Sequence, residues 1–173
     1  MPNKPSIEGR TKGVEALYEK PGHLVRRANQ ISMAIFAKEC SELDLTSVQY
    51  AALTAICDCD GIDATRLSGL IALDRATIGG VMDRLETKGW VHRKPSQSDR
   101  RIKALHISAS GKALLEAAGP KVDEVQKRLL APLSPDEQQT FLQLLTKLVL
   151  LGNENSRAPQ KELDAQPLKE DAA

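Results

Sequence analysis

Apolar residues recur every three or four positions through most of the chain, a spacing that predicts helices. Leu24, Ala28, Ile31 and Ile35 form one such stripe, in a helix that begins after Pro21-Gly22 and ends near Cys40. Val48, Ala51, Ala52 and Ala55 form a second, in a helix from Ser47 to about Asp58 with Thr46 as its N-cap. The run Asp58-Cys59-Asp60-Gly61 reads as a turn. Asp63 then caps a short helix over 64–71, and Asp74 caps a fourth that runs to about Lys88 and stops at Gly89. Ile78, Val81, Met82 and Leu85 are its inward residues. Two short helices joined by a tight turn, the second longer and polar outside, form a helix-turn-helix pattern.

The pattern then changes period. Trp90 to Lys94 reads as a strand, Pro95 to Arg101 as a polar loop, and Ile102 to Ile107 as a second strand with alternating sides. The result is a β-hairpin with a basic tip, the wing of a winged helix-turn-helix. Ser108 or Ser110 opens a long helix to about Leu130, striped by Leu114, Leu115, Ala118, Val122, Val125 and Leu129, with a kink expected at Gly119-Pro120. Ser134-Pro135-Asp136-Glu137 is a strong helix start. The last helix, to about Leu151, carries Phe141, Leu142, Leu144, Leu145, Leu148, Val149, Leu150 and Leu151 on more than one face, which implies burial against another subunit.

Composition sharpens this in three places. Aromatic residues are only 3% of the chain, so aliphatic side chains must fill the core. The net charge of +1 excludes a polycation that coats nucleic acid indiscriminately. Between Asp74 and Lys103, however, eight basic residues face four acidic ones, which concentrates positive charge where a winged helix meets phosphate. Residues 1–20 are polar and read as a mobile arm, and 152–173, rich in charge and poor in large apolar residues, as a disordered tail. No apolar run approaches a membrane span or a signal-peptide core, so no membrane role and a cytoplasmic location are expected. The ordered unit is therefore expected over 21–151, with outer helical segments at 21–45 and 109–151 around a helix-turn-helix and wing at 46–108.

The sequence from Asp74-Arg75-Ala76-Thr77-Ile78 through Leu85-Glu86-Thr87-Lys88-Gly89-Trp90-Val91-His92-Arg93 resembles the MarR family of bacterial transcriptional regulators. The resemblance continues in Ser98-Asp99-Arg100-Arg101 and Ile107-Ser108-Ala109-Ser110-Gly111, and spans about residues 22–151. One departure is Ile107-Ser108 where the family usually has Leu-Thr; serine still caps. The opening Pro21-Gly22-His23-Leu24-Val25-Arg26-Arg27 is similar to a subgroup that controls breakdown of aromatic acids. The resemblance implies a mainly α fold with a small β-hairpin, a winged helix-turn-helix that dimerises through its N- and C-terminal helices. It also implies a pseudo-palindromic double-stranded operator and a small-molecule effector.

Arg75, Ala76, Thr77, Gly79, Gly80 and Arg84 are the candidate outward positions of the recognition helix, and Arg75 and Thr77 lie in the turn that meets base edges. Arg75 can fork onto guanine or lie along a phosphate, and Thr77 can donate a hydrogen bond or offer its methyl to thymine. Gly79-Gly80 serves either close approach of DNA or wing, or close helix packing. Arg93, Lys94, Arg100 and Arg101 are the wing's candidate contacts, the last two suited to a narrow minor groove. By resemblance, Asp99 and Arg101 form an Asp-x-Arg pair in which the carboxylate orients the guanidinium. Trp90 reads as core at the wing's base.

For the effector, His23, Arg26 and Arg27 share a broad face of the first helix, and an Arg fork with a nearby imidazole suits a hydroxylated aromatic carboxylate. Solvated surface charges or subunit-bridging ion pairs are the alternative. Asn29, Gln30, Ser41, Thr46 and Tyr50 are further polar candidates. The resemblance to the subgroup points to a hydroxybenzoate- or hydroxynicotinate-like acid that releases a repressor.

Three rival classes remain. A thiol-based redox sensor of the same fold would use Cys40, Cys57 or Cys59, although Asp58 and Asp60 disfavour thiolate and buried structural thiols are the simpler reading. An enzyme is not expected: His23, His92 and His106 are dispersed, with no nucleophile elbow, phosphate-binding glycine loop or metal-ligand spacing, and no cofactor is implied. A helical adaptor that binds only protein would leave the basic wing unexplained.

Overall fold

The computed structural model describes residues 12–96, 99 and 101–162. Seven helices and a three-stranded antiparallel sheet follow in the order α1 Lys12–Tyr18, α2 Pro21–Glu39, α3 Ser47–Asp58, β1 Ile62–Asp63, α4 Ala64–Leu70, α5 Arg75–Thr87, β2 Val91–Pro95, β3 Lys103–Ile107, α6 Ala109–Leu130 and α7 Pro135–Gly152. Short 3-10 turns follow α2, over Ser41–Leu43, and α7, over Asn153–Asn155.

The helix boundaries are set by local chemistry. The Thr46 hydroxyl accepts the Gln49 amide while the Gln49 side chain accepts the Thr46 amide, a reciprocal box that starts α3. Asp63 accepts from the amides of Thr65 and Arg66 to start α4, and Asp74 accepts from that of Thr77 to start α5. Ser108 caps α6, and Ser134 with Glu137 boxes the start of α7. After α5 the chain passes through Gly89 at φ +70°, where a left-handed residue lets the wing leave the helix at once.

One apolar core lies beneath the helix-turn-helix. Leu53 and Ile56 of α3, Leu67 of α4, Ile78, Val81, Met82 and Leu85 of α5, Val91 of β2 and Leu105 of β3 are buried together. A smaller cluster, Phe36, Cys40 and Val125, joins α2 to α6. Arg128–Glu39 and Lys121–Glu42 ion pairs flank that junction.

The structure differs from the sequence reading at four points. Residues 12–18, expected to belong to a mobile arm, form α1, and Tyr18 meets His23 of α2 edge to face at 5.2 Å. The hairpin gains a third strand, since β1 pairs with β3 through Ile62–Leu105 and Asp63–Ala104, giving the order β1-β3-β2. α6 continues through Pro120 as one element; the proline removes one main-chain donor without ending the helix. Residues 153–162, expected within a disordered tail, fold back against α4, with the Lys161 amide donating to the Gly69 carbonyl at 2.9 Å. The remaining arm and tail, 1–11 and 163–173, lie outside the described residues.

α7 contributes no buried residue. Leu144, Leu148, Leu150 and Leu151 are 60–75% exposed, and Leu24, Val25, Ile31 and Met33 of α2 are also exposed. So many exposed large apolar side chains on two helices mark a surface unlike ordinary protein exterior. No helix among the described residues is long and apolar enough to cross a membrane.

Candidate nucleic-acid interface

α5 has two faces. Ile78, Val81, Met82 and Leu85 anchor it in the core, while Arg75, Ala76, Thr77, Gly79, Gly80 and Arg84 all lie on the exposed side. A Cβ added at Gly79 or Gly80 would meet nothing within 4 Å, so close helix packing does not account for these glycines. They leave the backbone of α5 open to a partner outside the chain. The two cost about 1 kcal/mol each in helix propensity relative to alanine.

Thr77 is less available than its position suggests. Its hydroxyl donates to both Asp74 oxygens, at 3.0 and 2.8 Å, and its amide donates to Asp74 Oδ1 at 2.9 Å. The methyl and the oxygen lone pairs remain open, but the proton is engaged. These donors hold the Asp74 carboxyl below its ordinary range. A depressed carboxyl contributes its stabilisation above its ordinary pKa and loses it as pH falls through the folded value. The cap is therefore intact at neutral pH and weakens only in acid.

Two wing residues take roles other than those expected. The half-buried Arg93 reaches back to α5, with Nη2 2.5 Å from Asp83 Oδ1 and Nε 3.3 Å from Glu86 Oε2. Its charge is met inside the chain, so it serves as a strut between β2 and α5 rather than as a free phosphate ligand. Asp99 orders the wing through the main chain: Oδ1 accepts the Arg101 amide at 2.9 Å and its carbonyl accepts the Ile102 amide at 2.9 Å. Among the described residues the Arg101 guanidinium has no ion-pair partner, so the expected carboxylate–guanidinium pairing is replaced by a turn bond. Lys94 is exposed on β2, and Arg100 lies outside the described residues. Trp90 sits half-buried at the wing's base, with Lys88 Nζ 4.4 Å from its ring centroid and bonded to Asp44.

Asp83 and Glu86 were not singled out in the sequence. The available signal was two acids three residues apart on a helix otherwise turned towards phosphate. Such acids are unfavourable there unless a cation already meets them.

The effector candidates are distributed rather than gathered. Arg26 is exposed, and Arg27 Nη1 donates to Gln30 Oε1 at 3.1 Å. Asn29 Nδ2 lies 3.7 Å from Met33 Sδ, within its own helix. His23 Nε2 is buried with no hydrogen-bond partner, its ring packed edge to face against Tyr18. Tyr50 packs beside Phe36, ring centroids 6.4 Å apart. Phe36 is thirteen residues beyond His23, or ~20 Å along the helix at 1.5 Å per residue. One chain therefore does not unite Tyr50 with His23, Arg26 and Arg27. Ser41 begins the 3-10 turn after α2, and Thr46 is spent on its cap.

Burial pushes the Cys40 thiol up, and Lys121 opposes this only in part. A raised thiol is a poor nucleophile, which argues against Cys40 as a redox sensor. No group of three His, Cys, Asp or Glu able to hold a metal occurs among the described residues.

Comparison with known proteins agrees with this geometry. The sequence pattern of the MarR family matches residues 45–103. The HTH-type transcriptional repressor NicR of Pseudomonas putida is 34% identical over 131 residues, 76% of this chain and 83% of that protein. The structure of Bordetella bronchiseptica BpsR, whose DNA binding is regulated by 6-hydroxynicotinic acid, superposes with a TM-score of 0.71 at 30% identity, covering 75% of this chain and 93% of the other. That of an Escherichia coli MarR variant complexed with operator DNA gives 0.72 at 27% identity, covering 81% and 99%.

Proposed function

This chain belongs to the MarR family, a family of DNA-binding regulators rather than enzymes, and from that premise we propose that it represses a promoter until a small aromatic carboxylate releases it. The observation that carries the DNA half is the outer face of α5, where Arg75, Arg84 and the open backbone at Gly79-Gly80 stand clear of the core beside a basic wing. In helix-turn-helix proteins that face enters the major groove, and the wing follows the phosphates beside it.

Repression of this kind needs two copies. The apolar residues left uncovered on α7 and α2 form a surface that a two-fold partner would bury. Two recognition helices then meet half-sites about one helical turn apart on a pseudo-palindromic operator. Wing cations not already paired, unlike Arg93, add to affinity through phosphate without reading sequence. Arg101→Ala is expected to weaken operator binding about tenfold at constant salt while leaving dimer mass unchanged, measured by fluorescence anisotropy and light scattering. Undiminished affinity removes Arg101 from the interface.

The effector half rests on the start of α2. His23 Nε2 is buried and unsatisfied there, and Arg26 and Arg27 stand beside it on an apolar surface that awaits a second chain. A carboxylate would meet the guanidinium groups, and a ring hydroxyl would satisfy the imidazole. The regulation of BpsR by 6-hydroxynicotinic acid supports this class of ligand. Bound at the junction of dimer body and DNA-binding unit, the ligand favours a dimer whose helix spacing no longer fits the operator, and so shifts the population off DNA. Arg26→Ala should bind operator normally yet need a higher acid concentration for release. Release at the wild-type concentration would exclude Arg26 from the site.

The deciding experiment is operator affinity at fixed salt on the promoter region beside the protein's own gene, with and without a panel of hydroxylated aromatic acids. Specific binding released by one acid supports both halves. Specific binding that no acid disturbs leaves a repressor and discards the effector site. Absence of specific binding overturns the reading.

A further inference from the structure

The chain does not leave the molecule after α7. A 3-10 turn over Asn153–Asn155 reverses it, and residues 156–162 run back along α4. Two bonds to α4 carbonyls hold this strap: the Lys161 amide donates to the Gly69 carbonyl at 2.9 Å, and the Gln160 side-chain Nε2 donates to the Leu70 carbonyl at 3.3 Å. Asn153 closes the loop from within, with Nδ2 donating to the Gln160 carbonyl at 3.0 Å and Oδ1 accepting the Gln160 amide at 2.7 Å. Gly69 permits the approach, because a Cβ there would lie 3.3 Å from Lys161 Cβ. None of these bonds uses the charged ends of Arg157 or Lys161.

Over residues 153–162 the charge is balanced, with Arg157 and Lys161 against Glu154 and Glu162, but both cations and neither acid line one cleft. A cleft of about 350 Å³ between strap and helix-turn-helix is lined by Arg75, Arg157 and Lys161, together with Thr65, Ser68 and Asp74. Glu162 lines a separate cleft with Val149 and Leu150 of α7, which Lys161 also borders. Asp74, the acid on the basic side, already has both oxygens engaged by Thr77. Among the described residues Arg75, Arg157 and Lys161 take part in no ion pair. Three cations against the single Asp74 carboxylate leave this cleft with a net charge of +2 beside the first turn of α5, the end of a recognition helix that faces the groove.

We propose that the C-terminal strap is a second DNA contact, in which Arg157 and Lys161, with Arg75, grip the phosphate backbone next to the groove that α5 enters. This rests on the DNA-binding reading of α5. The contact is electrostatic and carries no sequence information, so it should act on any duplex and appear as salt dependence.

The test uses the full chain. Wild type and Arg157→Ala/Lys161→Ala are titrated over a salt series on the promoter duplex and on a non-specific duplex of equal length. Each phosphate contact contributes about 0.9 to the slope of log affinity against log salt, and a dimer carries two straps, so the double variant should be shallower by roughly 3.6 on both duplexes. Its operator affinity should fall by about tenfold or more at low salt. Arg157→Lys/Lys161→Arg should retain the wild-type slope. Gly69→Val, which drives a branched side chain towards Lys161 Cβ, should reproduce the loss with both cations still present. An unchanged slope in the double variant, or weaker binding at an unchanged slope, overturns the proposal. If wild type does not prefer the promoter, repression is the reading that fails, and the slopes on non-specific duplex still decide the strap.

Discussion

Leu144→Asp combined with Leu148→Asp should turn the protein into a folded monomer whose operator affinity is lower by roughly 10²- to 10⁴-fold, the advantage lost when two linked half-site contacts become one. The two leucines are four residues apart and so lie on one face of α7. They are 63% and 60% exposed in a single chain, which means that the chain's own packing does not depend on them. Across a two-fold interface each aspartate would place an unpaired carboxylate in an apolar contact, a cost of several kcal/mol per charge. The core beneath the helix-turn-helix, built on Leu53, Ile56, Leu67, Leu85 and Leu105, uses no residue of α7 and should stay assembled. Sedimentation gives the mass, far-UV circular dichroism the helix content, and anisotropy the affinity. A dimer that persists at micromolar concentration would show that α7 is not the dimer surface.

Gly111→Ala should lower the melting temperature by several degrees although it adds a single methyl group. A Cβ there would lie 2.4 Å from the Trp90 carbonyl oxygen and 2.8 Å from Ile107 Cγ1. The joint has little room to yield, because that carbonyl accepts the Ser108 amide at 2.9 Å. The Ser108 and Ser110 hydroxyls both bond to the Gly89 carbonyl, at 2.7 and 2.9 Å. Overpacking of this kind costs about 1–3 kcal/mol. In a chain of this length each kcal/mol shifts the midpoint by roughly 2–4 °C. Gly119→Ala is the internal contrast: it is also in α6, but its Cβ would meet nothing within 4 Å. There the gain in helix propensity should raise the midpoint slightly. Equal melting curves for the two variants would contradict the close contact at Gly111.

What the sequence disclosed, and what it withheld, follows the range of the forces involved. Thr46, Asp63, Asp74, Ser108 and Ser134 each cap the helix that follows them, because capping acts over two or three residues and leaves its mark in the local sequence. The stripe Ile78, Val81, Met82 and Leu85 fixed the inward face of α5 for the same reason. β1 was illegible because a two-residue strand has no period, and only its pairing to β3 makes it a strand. The strap over 156–162 is held mainly by carbonyls of α4 and by Asn153, so its composition resembles that of a free tail. Arg93 misled in the opposite direction. A cation in a basic wing suggests phosphate, whereas its partners Asp83 and Glu86 are set by the fold. The effector candidates lie apart in one chain, as the reading proposed above would require if a second subunit completes the site.

The Arg93 strut has a mechanical consequence. Its bonds to Asp83 and Glu86 tie β2 to α5, while the Ser108 and Ser110 hydroxyls tie the same region to α6 through Gly89. Groove reader and wing therefore form one stiff blade with α6 as its shaft. A blade of this kind does not respond to a distant ligand by bending at its tip. Were it to pivot as a whole in the proposed dimer, a small tilt at its base would become a larger sweep at the DNA. In the dimer proposed above, the adjustable quantity would be the separation of two such blades, and an inducer would need only to alter the angle at which their shafts cross.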